Sequence, residues 1–544
     1  MDAGSDQEVK ASALQDASAS DATSGILSYF WSSDPSVSFD DNTIEDPTIS
    51  AITDGIYTVT LTVTDNAGNV NSDTMQFAWD TTAPNLTEVT AIKDPTNNKT
   101  PSYVFNVDSV KQLAASADGT IAYAGSCGDG DLAFALAGDN TTVYGPLGDT
   151  TYSDCEIYVT DAAGNTSSAL AVSSFEIDTI VATVLSIKTY DTNFDGKVET
   201  AEITFDDEVD DSTFVASDFS IGGVPADGFS TGTANDDVVT ITVSAGVDGT
   251  EEKTVAYVAG TATDLAGNSI GSFSQTSTDL AQPVMLSAET TSTTTIDTVW
   301  SEDLDGTTVN PTGTEFTVTG FAVSNADETS AGVVTLTVAT MPTDATPDVK
   351  FTNIDSFQDL NSNEAYSPKT VTASDGVAPV LDTVSIGSDN ANVADAPAFY
   401  AMEGDTITVS FTASEAIDTP TVLIQGVTAT SVINVAGNSW TASRVMDVGD
   451  SQGGVTFTID FEDLVDNDGT TVTAVTDGTS VFFDSVNPDV NAGTDKEVNA
   501  VANQDATVLD PAPSSGGLVY QWTNETPGVG TITFGTPSAE DTTI

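Results

Sequence analysis

Tyr57-Thr58-Val59-Thr60-Leu61-Thr62-Val63-Thr64-Asp65-Asn66-Ala67-Gly68-Asn69 is the stretch that decides the fold. Its odd positions from Tyr57 to Val63 are apolar and its even ones are threonine, the period-two pattern of a strand with one face in a core. Threonine and valine also suit a pleated surface because both are β-branched. The run ends where Asp65, Asn66 and Gly68 supply the side-chain hydrogen bonds and positive φ that a tight turn needs. The same alternation returns at Val239-Thr240-Ile241-Thr242-Val243, Val334-Thr335-Leu336-Thr337-Val338 and Thr406-Ile407-Thr408-Val409-Ser410-Phe411. No stretch of a dozen residues repeats its apolar positions at helical spacing, so the expectation is all-β.

Working outward, the turn recurs as TDAAGN at Thr160 to Asn165 and TDLAGN at Thr263 to Asn268, with looser forms QDLNSN at Gln358 to Asn363 and VDNDGT at Val465 to Thr470. A short aspartate-led linker follows each: Asp80 to Pro84, Asp178 to Ala182, Asp279 to Pro283, Asp375 to Pro379 and Asp484 to Pro488. A repeat of about 100 residues is the size of one β-sandwich. The punctuation divides the chain into 1–82, 83–179, 180–281, 282–377, 378–488 and an incomplete 489–544. Linkers this short, most carrying proline, predict sandwiches arranged end to end as an elongated rod.

Within this series EITFDDEVD at Glu202 to Asp210 aligns with DTVWSEDLD at Asp297 to Asp305, pointing to one ancestor for the third and fourth domains. The two ends also match, DAGSDQEV at Asp2 to Val9 with NAGTDKEV at Asn491 to Val498, and LSYFW at Leu27 to Trp31 with LVYQW at Leu518 to Trp522. On that register Ile544 corresponds to Ile49, so the final domain stops half-way. The reading is of a segment cut from a longer array, with a strand-accepting open edge as the alternative.

The chain carries 83 acidic residues against ten lysines and the single arginine Arg444, for a net charge of −72, and no histidine. Such a surface excludes nucleic acid and anionic lipid as partners and draws cations to itself. Without histidine there is no Ser-His-Asp triad and no histidine-bound metal, and no phosphate loop or nucleophile elbow occurs. A carboxylate pair of the glycosidase kind is the one remaining catalytic route, and it needs a cleft that small sandwiches rarely provide. The expectation is therefore not an enzyme. No apolar run reaches the ~18 residues of a membrane span, and the start lacks the basic and apolar regions of a signal peptide. The chain reads as an internal piece of an exported protein.

The residues resemble known families. DAGSDQEV, YFW and YTVTLTVTDNAGN resemble the polycystic-kidney-disease-type domain of microbial surface proteins. TPSYVF, YAGSC, TYSDCEIYVTDAAGN and SSFEID resemble a bacterial immunoglobulin-like module with one internal cystine. The third to fifth domains are similar to the immunoglobulin-like modules of large repetitive exported proteins. The resemblance implies an extracellular, cell-surface adhesin, filament or S-layer component, whose partners are copies of itself or neighbouring surface proteins. The alternative it leaves open is a module recognising a glycan or host receptor. It also implies a bridge between Cys127 and Cys155, which fall on segments read as neighbouring strands in an oxidising compartment.

The sharpest motif is Asp191-Thr192-Asn193-Phe194-Asp195-Gly196-Lys197-Val198-Glu199-Thr200-Ala201-Glu202, which fits the twelve-residue Ca2+ loop D-x-[DN]-x-[DN]-G-x5-E. The ligands would be Asp191, Asn193, Asp195, the Lys197 carbonyl, Glu199 through water, and Glu202. Its flanks read as strands, unlike the helices of an EF-hand. A second kind of site would pair each turn aspartate with the linker that follows it: Asp65 with Asp80, Asp161 with Asp178, Asp264 with Asp279. Turn chemistry alone also explains these residues. Asp207, Glu302 and Glu415 align as further acids, and Trp31, Trp300, Trp440 and Trp522 read as core.

Overall fold

A computed structural model describes residues 1–109, 113, 119–354, 356–390, 394–395 and 398–491, with short pieces at 503–504, 507–509, 521 and 542–543. The incomplete domain expected at 489–544, with Trp522 and Ile544, lies largely outside the described residues. The described chain is all-β, and through residue 483 its sheets fall into consecutive immunoglobulin-like sandwiches. Two compact units divide it: Met1–Thr189, Glu199–Val247 and Glu252–Thr278 form one, and Tyr190–Val198, Asp248–Glu251 and Asp279–Ile544 the other.

In the first unit the opening sandwich sets the sheet Gln7–Val9, Val70–Trp79, Gly55–Asp65, Ile26–Asp34 against Ala13–Leu14, Thr48–Ser50, Ser38–Phe39. The alternation places Tyr57, Val59, Leu61 and Val63 in a core with Trp31, Ile49 and Phe77. Each such side chain contributes about 1.5–3 kcal/mol by leaving water, and the threonines between them face outward. Gln7–Val9 pairs in parallel with Phe77–Trp79, bringing the first strand beside the last. The second sandwich packs Tyr103, Phe105, Ile157, Val159 and Phe175. Its strands Gly119–Ala124 and Glu156–Thr160 are antiparallel neighbours. Just beyond them Cys127 and Cys155 form a disulfide with Cα atoms 5.7 Å apart across a sequence separation of 28. Closing a loop of that length stabilises by about 3.6 kcal/mol through the unfolded chain. In the third sandwich Ile203, Phe205, Phe219, Ile241 and Tyr257 are buried.

The common ancestry read for the third and fourth domains is matched by strand order. The third sandwich runs Gly228–Ser230, Val238–Asp248, Lys197–Phe205, Val184–Tyr190, Thr278–Asp279. The fourth repeats that order as Val323–Ser330, Val333–Val338, Thr295–Trp300, Met285–Ser292, Ser374–Asp375.

In the second unit the fourth sandwich gathers Trp300, Phe316, Phe351 and Phe357, with Trp300 edge-on to Phe351 at 4.9 Å. The fifth buries Val409, Phe411, Trp440 and Ile459. Arg444 sits on its strand Ser439–Val445 and is 7% exposed. Its guanidinium donates to the Ile424 carbonyl at 3.2 Å and to Asp450 at 2.7 Å, and the other oxygen of Asp450 accepts the Asp447 amide at 2.7 Å. Burial pushes the Asp450 carboxyl upward, but Arg444 and the Asp447 amide outweigh it and hold the group below its ordinary 3.8.

Removing one partner of a buried ion pair leaves the other uncompensated, at a cost of about 3–5 kcal/mol. Asp450→Asn therefore lowers the unfolding transition of the fifth sandwich, read by calorimetry of the whole chain. Because the folded-state pKa is depressed, the pair's contribution is whole above the unfolded value of 3.8 and lost as pH falls through the folded one. The gap between wild type and variant closes on that acid side; a gap independent of pH would show that Asp450 acts by packing alone.

Candidate cation sites built from linker and turn

Each TDxAGN turn is held by its aspartate. In the second sandwich one Asp161 oxygen accepts the Asn165 amide at 2.7 Å, and the other accepts the Asn165 side chain at 3.0 Å. Asp264 holds Asn268 in the same way at 2.7 and 2.9 Å, and Asp359 holds Asn363 at 2.8 and 2.9 Å. The residue before the asparagine adopts positive φ: 91° at Gly164 and 103° at Gly267.

The fifth turn departs from its expected register. The capping aspartate is Asp463, not Asp466, and it holds Asn467 at 2.9 and 2.7 Å. Positive φ falls on Asp466 at 69° and, in the fourth turn, on Ser362 at 71°. Replacement of the glycine hid the motif, so EDLVDN at Glu462 to Asn467 is the true repeat and VDNDGT is offset from it by three residues.

The same asparagine amide reaches the linker. Asn165 donates to the Asp80 carbonyl at 2.9 Å, Asn268 to Asp178 at 3.1 Å, Asn363 to Asp279 at 3.3 Å and Asn467 to Asp375 at 3.2 Å. Each turn thus meets the linker that precedes its sandwich, not the one that follows. The reason is geometric: Val70–Trp79 lies between the Asp65 turn and Asp80. Ten strand residues rise about 33 Å and carry the chain to the far end. Asp65 is accordingly exposed to a different neighbourhood from Asp80, and its carboxyl is held below the ordinary range by the side chain and amide of Asn69. Each linker aspartate also caps itself, accepting the amide two residues on at 2.9 Å in Asp80 and Asp178, 2.8 Å in Asp279 and 3.0 Å in Asp375.

A third acid joins at two of these places. Asp279, Glu302 and Asp359 present carboxylate oxygens within 4.8 Å of one another, as do Asp375, Glu415 and Asp463. Asp279, Asp359, Glu415 and Asp463 are nearly inaccessible, and Glu302 is 9% exposed. Burial, and after it the neighbouring aspartates, push Glu415 up to about 7; burial and mutual repulsion raise Asp279 and Glu302 as well. The corresponding acid of the third sandwich, Asp207, is exposed, and it contributes with burial and Asp264 to raising Asp178. That joint opens onto a cleft of roughly 560 Å3 lined by Asp94, Glu176, Asp178, Asp206, Asp207 and Glu208.

The loop from Asp191 is a turn closed by its own amides. Asp191 accepts Asn193 at 3.1 Å and Gly196 at 2.9 Å, Asn193 accepts Asp195 at 2.8 Å, and Asp195 accepts Lys197 at 3.1 Å. Phe194 stacks on Tyr366 at 4.2 Å, and a Cβ at Gly196 would meet Leu286 at 2.4 Å. Glu199 is buried on the strand Lys197–Phe205, which also carries Glu202. Glu202 is not brought to the loop; it pairs with Lys188 at 3.0 Å. Five residues of strand beyond Lys197 carry it about 16 Å, where a helix would have turned it back. Trp31, Trp300 and Trp440 are all buried, so none offers a stacking face.

Residues 3–78 match a family model described as a PKD domain. A search of curated proteins by sequence returns no match. Among solved structures the chain is similar to the human Desmocollin-1 ectodomain at 10% identity, covering 86% of this chain and 95% of that one with a TM-score of 0.23. It is similar to the Escherichia coli adhesin FdeC at 15% identity, covering 56% and 100% with a TM-score of 0.20. The surface layer protein SbsC, domains 4 to 9, aligns at 11% identity over 89% and 79% with a TM-score of 0.15. No helix among the described residues is long and apolar enough to cross a membrane.

The clasp predicts a local cost. Asn268→Ala removes donors from Asp178, Ile180 and Asp264, leaving acceptors at a partly buried place unpaired, at about 1–3 kcal/mol. Denaturant unfolding should show the third sandwich destabilised by that amount; Asn69→Ala, which loses only the bond within its own turn, should cost less.

Proposed function

We propose that this chain is a structural or adhesive part of an extracellular cell surface, a row of immunoglobulin-like sandwiches whose joints are set by linker and turn and stiffened by calcium. The supporting observation is the asparagine clasp, made at four successive linkers by the same pair of groups. A protein that spaces or assembles needs a defined angle at every joint, whereas an enzyme needs one cleft with converging groups. The acidic surface keeps such a row soluble and disfavours nucleic acid and anionic membranes. Its partners are copies of itself or neighbouring surface proteins, and the domain limits follow the linkers at 82, 179, 281, 377 and 488.

Calcium is the cation this reading names, at the Asp191–Asn193–Asp195 loop with the Lys197 carbonyl, and around the linker aspartates Asp80, Asp178 and Asp279 with the turn aspartates Asp161 and Asp264. Oxygen ligands on loops that already hold their own shape suit a hard cation. Extracellular modules bind it at roughly 0.1–1 mM, and saturation at 100 times that constant adds about 2.7 kcal/mol.

Small-angle scattering and calorimetry of the chain in calcium and then in chelator test this reading. The expected outcome is a longer maximum dimension and a higher melting transition in calcium. Identical curves in both would remove calcium from it. Deleting one sandwich at a time while measuring adherence of cells displaying the chain tests the role: graded loss fits a spacer, and total loss with one sandwich would instead assign recognition of a glycan or receptor to that domain.

A further inference from the structure

We infer that Asp375, Glu415 and Asp463 form a specific site for a divalent cation of calcium's size. The inference rests on the local geometry of the fifth sandwich and is independent of the surface role and of the Asp191 loop.

The three side chains come from three separated places: the linker, the residue after the strand Thr406–Ala413, and the turn that ends in Asn467. One carboxylate oxygen of each lies within 4.8 Å of the others. A calcium ion takes oxygens at about 2.3–2.6 Å, so ligands on opposite sides of it stand about 4.6–5.2 Å apart, while magnesium at about 2.0–2.1 Å draws them closer than the widest spacing here. Asp375 and Asp463 are already oriented. Asp375 accepts the Val377 amide at 3.0 Å; Asp463 accepts Val465 and Asn467 amides at 2.8 and 2.9 Å. Each carboxylate oxygen has a second lone pair, so these bonds aim the groups without exhausting them.

Glu415 is the independent observation. It is 3% exposed, and its Oε1 is buried without a hydrogen-bond partner. Among the described residues no lysine or arginine pairs with any of the three acids. A buried carboxylate oxygen with no donor, beside two more carboxylates, lacks what stabilises it, and a cation supplies that. The comparable cluster at Asp279, Glu302 and Asp359 differs on this point, because the Thr250 hydroxyl donates to Glu302.

Equilibrium dialysis of the full chain with radioactive calcium in physiological salt, after chelator treatment, counts the ions bound. Glu415→Gln keeps the shape and removes the charge. The expected result is one fewer ion per chain, with the calcium-induced rise in melting of the fifth sandwich lost and the other transitions unchanged. Asp375→Asn serves as the second variant and should lose the same ion. Equal stoichiometry in wild type and both variants, or wild-type uptake that vanishes in physiological salt, would overturn the proposal. If the ion is lost only on removing the Asp191 loop, that loop holds the calcium and this site does not.

Discussion

The shared amide of one asparagine governs how the sandwiches are entered. Its two N–H donors serve the carboxylate of its own turn and the carbonyl of a linker 85 to 92 residues away. Neither acceptor can be dropped without leaving a buried oxygen unpaired, so the turn and the linker order each other. The linker aspartate adds a second constraint by capping its own next residues. A joint built this way needs no large apolar interface, which suits a chain whose surface is dominated by acids.

Those same constraints crowd carboxylates together. A linker aspartate and a turn aspartate are needed on either side of each clasp, and where the neighbouring strand end contributes a glutamate, three like charges share one buried place. At an effective dielectric of 20, two unit charges 4.8 Å apart repel by about 3.5 kcal/mol. With a net charge of −72 the rest of the chain offers little relief. The raised pKa values of Asp279, Glu302 and Glu415 express that strain: each group is driven either to take a proton or to find a cation.

Much of this was legible in the chain. Alternation from Tyr57 to Val63 reported a half-buried strand because burial and pleat have the same period. The disulfide partners were readable because only two cysteines exist. What stayed hidden was spatial. Asp65 and Asp80 are near in sequence and far in space because a strand separates them, whereas Asp80 and Asn165 are the reverse. The fifth turn escaped because its capping geometry survives without glycine: Asp466 takes positive φ, leaving Asp463 and Asn467 as the only fixed points. Glu202 satisfied a twelve-residue pattern whose spacing presumes a helix, and on a strand the same spacing leads away from the loop to Lys188.

The clasp and the third acid are separable features, and the joints differ in how they combine them. At the Asp178 joint the third acid, Asp207, is an aspartate exposed to solvent beside an open acidic cleft, so water and mobile ions can screen it. At Asp279 the acid is a longer glutamate turned inward, and a hydroxyl from Thr250 meets it. At Asp375 the glutamate is turned inward with one oxygen unmet. Because the clasp is the same in all three, backbone geometry cannot be what distinguishes them. The difference lies in one side chain's length and one neighbour's hydroxyl, which is how a common joint can serve as plain hinge stop in one place and as ion site in another.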